Sequence, residues 1–350
     1  MKVSEIGQLF VVGFEGAELS HNAKSFLAEL KPAGVILFSR NIESPLQVAA
    51  LNRELQLFAL DNWKQGLLIG IDQEGGRVRR LLSPFVCCPS ARDLGSGPTP
   101  CEVVRSYMTV MSCEMRLVGF NTNFVPVLDV VTPSAGHATS VIGDRSFGGS
   151  PETVARLGQV VIEAVRSMGI VPCGKHFPGH GGTTVDSHLE LPMDKRDRHI
   201  LWQRDLIPYR RAIENGIDML MTAHVVYTSL DPFYPSTLSR TMVNQILRSD
   251  LGYDGVVITD DLDMGAITSN YDVANAAQAA VEAGVDLLLF SKSDENVLSA
   301  RDTIVHLLDS GAIPRRVVAD ALERIKRLKE KYKTYSLPAE ADVIQRYFDL

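Results

Sequence analysis

Residues 169–188 read GIVPCGKHFPGHGGTTVDSH, and this stretch sets the interpretation of the whole chain. Residues 169–174 form a short, continuously apolar run, which is typical of a strand buried on both faces. Residues 175–188 then hold a lysine, an aspartate and three of the eight histidines of the chain. Polar side chains directly after a buried strand, followed by a glycine-rich loop, predict a functional site at the end of that strand.

The same alternation of apolar runs and helical patterns extends along the chain in both directions. Apolar runs predict eight strands, at residues 9–14, 34–38, 67–71, 121–127, 170–176, 218–223, 255–259 and 286–290. Helical patterns predict helices at residues 21–30, 45–62, 101–117, 151–168, 201–215, 239–250, 273–283, 296–308 and 315–332. Buried strands that alternate with helices indicate a parallel sheet with helical crossovers.

The fold class predicted from this order is α/β, a single-domain (β/α)₈ or TIM barrel over residues 1–335 with a C-terminal tail at 336–350. The alternative is an open, doubly wound sheet, which would gather its ligand-binding groups at one switch point. In this chain the conspicuous polar residues follow several different strands, which is where barrel enzymes keep their sites.

Composition narrows the classes of partner and compartment. The chain has 350 residues, 45% of them hydrophobic, a net charge of −7 and five cysteines. The sequence has no basic stripe and no apolar run of membrane-spanning length, so neither nucleic acid nor a membrane is expected as a partner. The N-terminus lacks the pattern of a signal peptide, and the odd cysteine count without CxxC spacing favours reduced thiols. A cytoplasmic monomer is therefore expected.

Three further segments place polar residues after predicted strands. In residues 71–80, IDQEGGRVRR, Asp72 has the chemistry to accept hydrogen bonds from two sugar hydroxyls, and the glycine pair predicts a tight turn. In residues 142–148, IGDRSFG, Arg145 either donates to a substrate or pairs with Asp144. In residues 259–264, TDDLDM, one carboxylate is expected to be functional, and another to cap the next helix. His224 after the sixth strand either lines the pocket or is structural.

The cluster of histidines also has to be considered as a metal site. His176, His180, Asp186 and His188 are all potential ligands. However, Pro178 and the glycine after it would break any helix that placed two histidines on one face, and the chain has no HExxH pattern. We therefore expect no metal and no other cofactor.

Taken together, the motifs KHFPGHG at 175–181, DSH at 186–188, DQEGGRV at 72–78 and TDDL at 259–262 resemble glycoside hydrolase family 3. Within that family the sequence is similar to the β-N-acetylhexosaminidase branch, and the resemblance extends over about residues 9–328. It implies a TIM barrel and a retaining glycosidase that forms a covalent glycosyl-enzyme.

The resemblance also implies a role for individual residues. Asp260 would be the nucleophile, and His188, paired with Asp186, would be the general acid/base. The sugar would be held by five further residues, namely Asp72, Arg80, Arg145, Lys175 and His176. A histidine, which titrates near ~6.5, can both donate and recover a proton at neutral pH, so it suits the acid/base role.

The implied substrate is a small carbohydrate or muropeptide with a terminal β-linked N-acetylglucosamine, such as the GlcNAc-anhydroMurNAc fragments of peptidoglycan recycling. Four alternatives remain open at this point. They are a phosphorylase, a broad β-glucosidase, a sugar-binding protein without activity, and a hexosaminidase that uses the acetamido oxygen of the substrate. The last would need an adjacent Asp-Glu pair at the sugar, for which the sequence offers residues 294–295.

Overall fold

The computed structural model describes residues 3–131, 141–183, 185–187, 189–292 and 294–350, without the side chain of Ser4. Eight parallel strands are hydrogen-bonded in chain order from the first to the seventh, and the eighth pairs with the first. A parallel bridge between Ile258 and Leu287 joins the last two strands of the ring, so the sheet closes into a barrel. The predicted (β/α)₈ fold is confirmed. The strands are β1 Phe10–Val12, β2 Gly34–Leu37, β3 Leu68–Ile71, β4 Thr122–Asn123, β5 Val171–Phe177, β6 Met219–Thr222, β7 Val256–Thr259 and β8 Leu288–Phe290.

Helices occupy the crossovers, and several begin where a serine accepts a backbone hydrogen bond. Ser20, Ser44 and Ser150 each accept from the N–H three residues later, and a proline opens two of these helices. The α-helices are Val3–Ile6, His21–Leu30, Pro45–Trp63, Ala91–Gly95, Pro100–Leu117, Pro151–Ser167, Arg198–Ile200, Ile207–Glu214, Gly265–Thr268, Val273–Ala283, Asp294–Ser310, Arg315–Tyr332 and Ala341–Phe348. Leu201–Asp205 and Thr241–Asp250 are π-helical, and short 3₁₀ turns lie at Gly7–Leu9, Ser39–Asn41, Gly143–Arg145 and Ser236–Leu238.

The fourth strand is shorter than the apolar run at 121–127 predicts. Pro126 has no N–H to donate, so the ladder of hydrogen bonds cannot continue through it. The chain nevertheless follows β5, because the N–H of Lys175 donates to the Pro126 carbonyl at 3.0 Å and that of Leu128 to the Lys175 carbonyl at 2.6 Å. This irregular segment carries Asp129 to the carboxyl end of the barrel.

The C-terminal residues, which the sequence pattern leaves unplaced, pack on the outside of the barrel. Their helix, Ala341–Phe348, buries Ile344 and Phe348, and the ring of Phe348 lies edge-on to Phe85 with centroids 4.8 Å apart. All five cysteines are free thiols. Within the described ranges, no helix has both the length and the apolar character needed to cross a membrane.

Candidate active site

A buried carboxylate, Asp129, fixes the backbone and one histidine ring after β5. Its Oδ1 accepts from the N–H groups of His176 (3.1 Å) and His180 (2.7 Å), and its Oδ2 lies 2.7 Å from Nδ1 of His176. Burial opposes ionisation of Asp129, but the two histidines lower the pKa of this carboxyl below its usual value. Asp129 therefore orients the His176 ring so that Nε2 remains available, 3.4 Å from a guanidinium nitrogen of Arg145. Sequence reasoning missed Asp129, although an aspartate inside the apolar run VPVLDVV at 125–131 was a usable signal.

A second buried carboxylate, Glu74, joins two of the predicted sugar-binding cations. Its Oε1 lies 2.7 Å from Nζ of Lys175 and 2.8 Å from one nitrogen of Arg145, while Oε2 accepts from Nε of Arg145 at 2.9 Å. Burial opposes the charge of Glu74, but the two cations lower its pKa far below the ordinary value. Glu74 keeps both cations in place and partly neutralises them, a role that the sequence did not reveal.

The turn after β3 gives Glu74 its position. Gly75 and Gly76 have φ angles of +102° and +55°, which favour glycine, and a Cβ on Gly75 would lie 2.5 Å from the Pro89 carbonyl oxygen. The N–H of Glu74 donates to the Val78 carbonyl at 2.9 Å and closes the turn. The tight turn expected from the glycine pair is therefore present.

Asp72 lies at the edge of the same cluster and remains partly accessible. Its Oδ1 accepts from Nζ of Lys175 at 2.7 Å, and its Oδ2 lies 3.8 Å from Arg80. The side chain of Asp72 is 18% exposed, against 3% for Lys175, so Asp72 presents an oxygen to the pocket while Lys175 is held beneath it. The question left open for Arg145 is also answered, because Arg145 pairs with Glu74 and Asp144 pairs instead with Arg77 at 2.9 Å.

Of the three carboxylates after β7, Asp260 and Asp261 line the pocket, while Asp261 and Asp263 brace the loop. Asp260 lines the pocket, and its Oδ1 accepts from the N–H of Asp261 at 2.9 Å. Asp261 accepts from the N–H of Ser291 at 3.1 Å, and Asp263 from the N–H of Lys292 at 2.9 Å. Neither caps the following helix, as was expected of one of them, because both bind the loop after β8.

Opposite pKa shifts separate the two neighbouring aspartates. Burial raises the pKa of both, but His176, His224, the Asp261 N–H and Lys175 act on Asp260 and bring its pKa down to about 2. For Asp261, burial is the largest effect and the carboxylates of Asp263 and Asp260 add to it, so its pKa is raised to about 6 in spite of its hydrogen bonds. At neutral pH the Asp260 carboxylate is therefore ionised, and the hydrogen bond from the Asp261 N–H fixes its position. An ionised carboxylate is the form that acts as a nucleophile.

The loop after β5 is packed against its surroundings at the glycines. A Cβ on Gly181 would lie 2.2 Å from the Val130 carbonyl oxygen, and one on Gly182 would lie 2.4 Å from the guanidinium of Arg196. That guanidinium is itself fixed by Asp194, at 2.6 Å, and by Asp205, at 3.0 Å. These two positions therefore require glycine, because the backbone approaches its neighbours too closely for a Cβ.

The predicted acid/base pair is described only in part. His188 and Thr184 lie outside the described residues. Asp186 is half-buried, and its carbonyl accepts from the N–H groups of Leu189 and Glu190 at 2.9 and 3.0 Å. Ser187, between Asp186 and His188, lines the same pocket as Asp260, and its Oγ lies 3.2 Å from Nε2 of His180.

His180 is engaged with neighbouring hydroxyls. Its Nδ1 lies 2.5 Å from Oγ1 of Thr183, and burial lowers its pKa to about 4, so the ring is neutral. In the portion of the chain that the structure describes, no group of three or more His, Cys, Asp or Glu side chains is arranged to hold a metal ion.

The pocket at the carboxyl ends of the strands has a volume of about 140 Å³. Predicted site residues from the ends of four strands line it, namely Asp72, Arg80, Arg145, Lys175, His176 and Asp260. A larger cavity of about 650 Å³ lies at the opposite end of the barrel. Its buried Lys329 is bound by Gln8 at 2.9 Å, and its Lys326 lies 4.0 Å from Glu330. We place the site in the smaller pocket, because the ionised carboxylate and the paired cations converge there.

The adjacent Asp294 and Glu295 do not reach this pocket. Both are exposed and begin the helix Asp294–Ser310. The pair required by catalysis through the acetamido oxygen is therefore absent from the pocket lining that the structure describes.

Comparisons with known proteins identify the family of the chain. Residues 3–328 match the glycosyl hydrolase family 3 N-terminal domain. A β-hexosaminidase of Alkalilimnicola ehrlichii is 39% identical over 293 residues, covering 82% of this chain and 81% of that protein. A β-hexosaminidase of Pseudomonas aeruginosa is 37% identical over 272 residues, covering 78% and 79%.

Solved structures show the same fold. A family 3 β-N-acetylglucosaminidase from Paenibacillus superposes with a TM-score of 0.93 at 39% identity, over 97% of this chain and 64% of that longer one. A β-N-acetylhexosaminidase from Beutenbergia cavernae gives a TM-score of 0.87 at 28% identity, over 94% and 99%. The chain thus belongs to glycosyl hydrolase family 3, as its motifs indicated. It is a glycoside hydrolase of the β-N-acetylhexosaminidase type, so the predicted enzyme class is confirmed.

Proposed function

We propose that the protein is an exo-acting, retaining β-N-acetylglucosaminidase that releases terminal β-linked N-acetylglucosamine through a glycosyl-enzyme on Asp260. The observation that carries this proposal is the ionised Asp260 carboxylate in a small pocket lined by Lys175, Arg145 and His176. A retaining glycosidase needs a carboxylate beside the anomeric carbon and a separate proton donor beside the leaving oxygen.

The small pocket supports an exo-acting enzyme. Its volume of about 140 Å³ lies below the ~300–1,000 Å³ of pockets for drug-sized ligands, so it suits one terminal ring rather than a sugar chain. The accessible oxygen of Asp72 and the guanidinium of Arg80 at its rim are suited to bind ring hydroxyls, because one accepts and the other donates hydrogen bonds.

In the first step, Asp260 attacks the anomeric carbon, and the general acid protonates the departing glycosidic oxygen. In the second step, the same group removes a proton from water, which attacks the glycosyl-enzyme and regenerates Asp260. We assign the proton transfers to His188, oriented by Asp186, on the strength of the family resemblance. The position of Ser187 beside the pocket supports this assignment, because it brings the chain next to His188 close to Asp260.

We further propose that the physiological substrates are N-acetylglucosaminyl fragments of peptidoglycan, such as GlcNAc-anhydroMurNAc-peptides, and that the enzyme acts as a cytoplasmic monomer. The similarity to bacterial β-hexosaminidases supports the sugar. The free cysteines fit a reducing compartment.

One set of assays tests the proposal. The purified protein is given an aryl β-N-acetylglucosaminide and, separately, GlcNAc-anhydroMurNAc, with and without phosphate. Retaining hydrolysis predicts that β-N-acetylglucosamine is the first anomer detected by NMR and that phosphate does not change the rate. A first product of the α configuration, or a sugar 1-phosphate that forms only when phosphate is present, would contradict it.

A further inference from the structure

We propose that His224 is a positioning residue, which fixes the attack geometry of Asp260 through the backbone of Asp261. The proposal rests on the proposed function of Asp260 as the nucleophile. The ring of His224 is fully buried and is not part of the described pocket lining, so it acts on the reaction through neighbouring residues and not by contact with the substrate.

The hydrogen bonds form a direct connection from the ring to the nucleophile. Nε2 of His224 lies 3.0 Å from the carbonyl oxygen of Asp261, and the N–H of Asp261 donates to Oδ1 of Asp260 at 2.9 Å. A carbonyl oxygen only accepts hydrogen bonds, so Nε2 carries a hydrogen whether the ring is neutral or charged. His224 thus restrains the carbonyl group of Asp261, and the N–H group of Asp261 restrains the carboxylate of Asp260.

The opposite side of the ring is anchored in the barrel. Nδ1 of His224 lies 2.8 Å from Oγ1 of Thr237, which in turn lies 2.9 Å from Oγ1 of Thr222. Thr222 ends β6, and its carbonyl accepts from the N–H of Asp260 at 3.2 Å. The end of β6 therefore holds both the N–H of Asp260 and, through His224, the residue after it. Thr222, His224 and Thr237 are fully buried, where hydrogen bonds are shielded from water and restrict motion.

Asp261 follows the proposed nucleophile directly, so restraint of Asp261 limits where the Asp260 carboxylate can lie during attack. On its far side, Asp261 is held by the N–H of Ser291 at 3.1 Å, so the loop is fixed from both β6 and β8. Bond formation requires the attacking oxygen within ~3–3.5 Å of the anomeric carbon, and a misplacement of ~1 Å can cost ~10²-fold in rate. His224 is also one of the neighbours that lower the pKa of Asp260, which agrees with a network that favours the ionised nucleophile.

The experiment compares substitutions of His224 that keep or remove the hydrogen-bond donor at the position of Nε2. In His224→Gln, the side-chain amide can place an N–H where Nε2 stood. His224→Met has a similar length and no donor, and His224→Asn reaches only the Thr237 side. Each variant is treated with a 5-fluoro N-acetylglucosaminyl fluoride, which traps the glycosyl-enzyme. The rate of labelling, the labelled residue, kcat and KM on an aryl substrate, and the Kd for N-acetylglucosamine are measured.

The expected result is a loss of about 10²-fold in labelling rate and kcat for His224→Met and His224→Asn, with KM and the Kd for N-acetylglucosamine within about threefold of wild type. His224→Gln should keep its labelling rate within about tenfold of wild type. Equal rates for the Gln and Met variants, with the label on Asp260, would overturn the role of His224 and leave the nucleophile intact. A wild-type label on another residue would instead refute the proposed function.

A second variant keeps the test decisive if His224→Met does not fold. Thr237→Val leaves His224 in place but removes the hydroxyl that fixes its Nδ1 side. Labelling is expected to slow by about tenfold, as for the loss of one buried hydrogen bond. A labelling rate equal to that of wild type would show that the network does not position Asp260.

Discussion

Replacement of Glu74 by glutamine tests the charge arrangement at the centre of the site. The carboxylate is 5% exposed and contacts both Arg145 and Lys175. Glutamine keeps the size of the side chain and one oxygen, but it removes the charge that the two cations share. We expect the variant to be markedly less stable and to bind substrate more weakly, because Arg145 and Lys175 would no longer be held in position.

The magnitude follows from the hydrogen bonds. The remaining amide oxygen of Glu74→Gln can serve Lys175 and one nitrogen of Arg145, but the amide nitrogen would then face Nε of Arg145, donor against donor. One lost hydrogen bond to a charged group costs about 1.5–3 kcal/mol. Removing one partner of a buried ion pair costs about 3–5 kcal/mol in all, which is the decrease that we expect in the free energy of unfolding.

A surface ion pair provides the matched control. Glu54 lies 2.7 Å from Lys24, but the two side chains are 46% and 40% exposed. Solvent screens such a pair, so Glu54→Gln should change the free energy of unfolding by no more than about 1 kcal/mol. Urea unfolding followed by circular dichroism at pH 7 measures both variants against wild type.

The pH dependence of stability tests independently whether ionised Glu74 stabilises the folded protein. The pKa of Glu74 is lowered in the folded protein, relative to about 4.3 in an unfolded chain. Its charge therefore contributes stability that is fully present above pH ~4.3 and is lost as the pH falls towards the folded value. The difference in the free energy of unfolding between wild type and Glu74→Gln should be constant from pH 8 to 6 and should decrease below pH ~4.3. If Glu74→Gln lowers the free energy of unfolding at pH 7 by no more than Glu54→Gln does, Glu74 does not stabilise the two cations as described. A difference between wild type and Glu74→Gln that grows at acidic pH would contradict the lowered pKa of Glu74.

Three further predictions concern the reaction itself. Asp260→Ala should abolish turnover without changing the unfolding midpoint by more than a few degrees. In the wild-type enzyme, peptide mapping should find the trapped sugar on Asp260, and a label on Asp261 or Asp263 would show that the nucleophile is misassigned. His188→Ala should slow the first step on natural fragments ~10²–10⁴-fold more than on activated aryl substrates, and azide should speed its turnover, since azide needs no general base; an equal loss for every leaving group would make His188 a structural or binding residue. Aryl N-acetylglucosaminides should have higher kcat/KM values than matched aryl glucosides, and comparable values for the two would identify a broad glucosidase.

Local pattern was enough to locate most of the barrel. The helices His21–Leu30, Val273–Ala283 and Arg315–Tyr332 have the bounds that their sequence patterns predicted. The strand ends were also close to prediction, because continuous apolar runs are required wherever both faces of a strand are buried. The fourth strand deviates because Pro126 cannot donate a backbone hydrogen bond. Several residues of the pocket lining could likewise be anticipated, since the motif residues lie at the ends of parallel strands.

The sequence by itself determined the barrel, the family and the pocket residues, because each depends on patterns or motifs within a few positions of the chain. Only the tertiary structure decided how those residues are paired. Glu74 and Arg145 are 71 positions apart, Asp129 and His176 are 47 apart, and His224 and Asp261 are 37 apart. Such contacts form only when separate strand ends meet at the rim of the closed barrel. The pKa values of Asp260 and Asp261, which are adjacent in sequence, also differ for this reason, since His176, His224 and Lys175, which lower the pKa of Asp260, come from other strands.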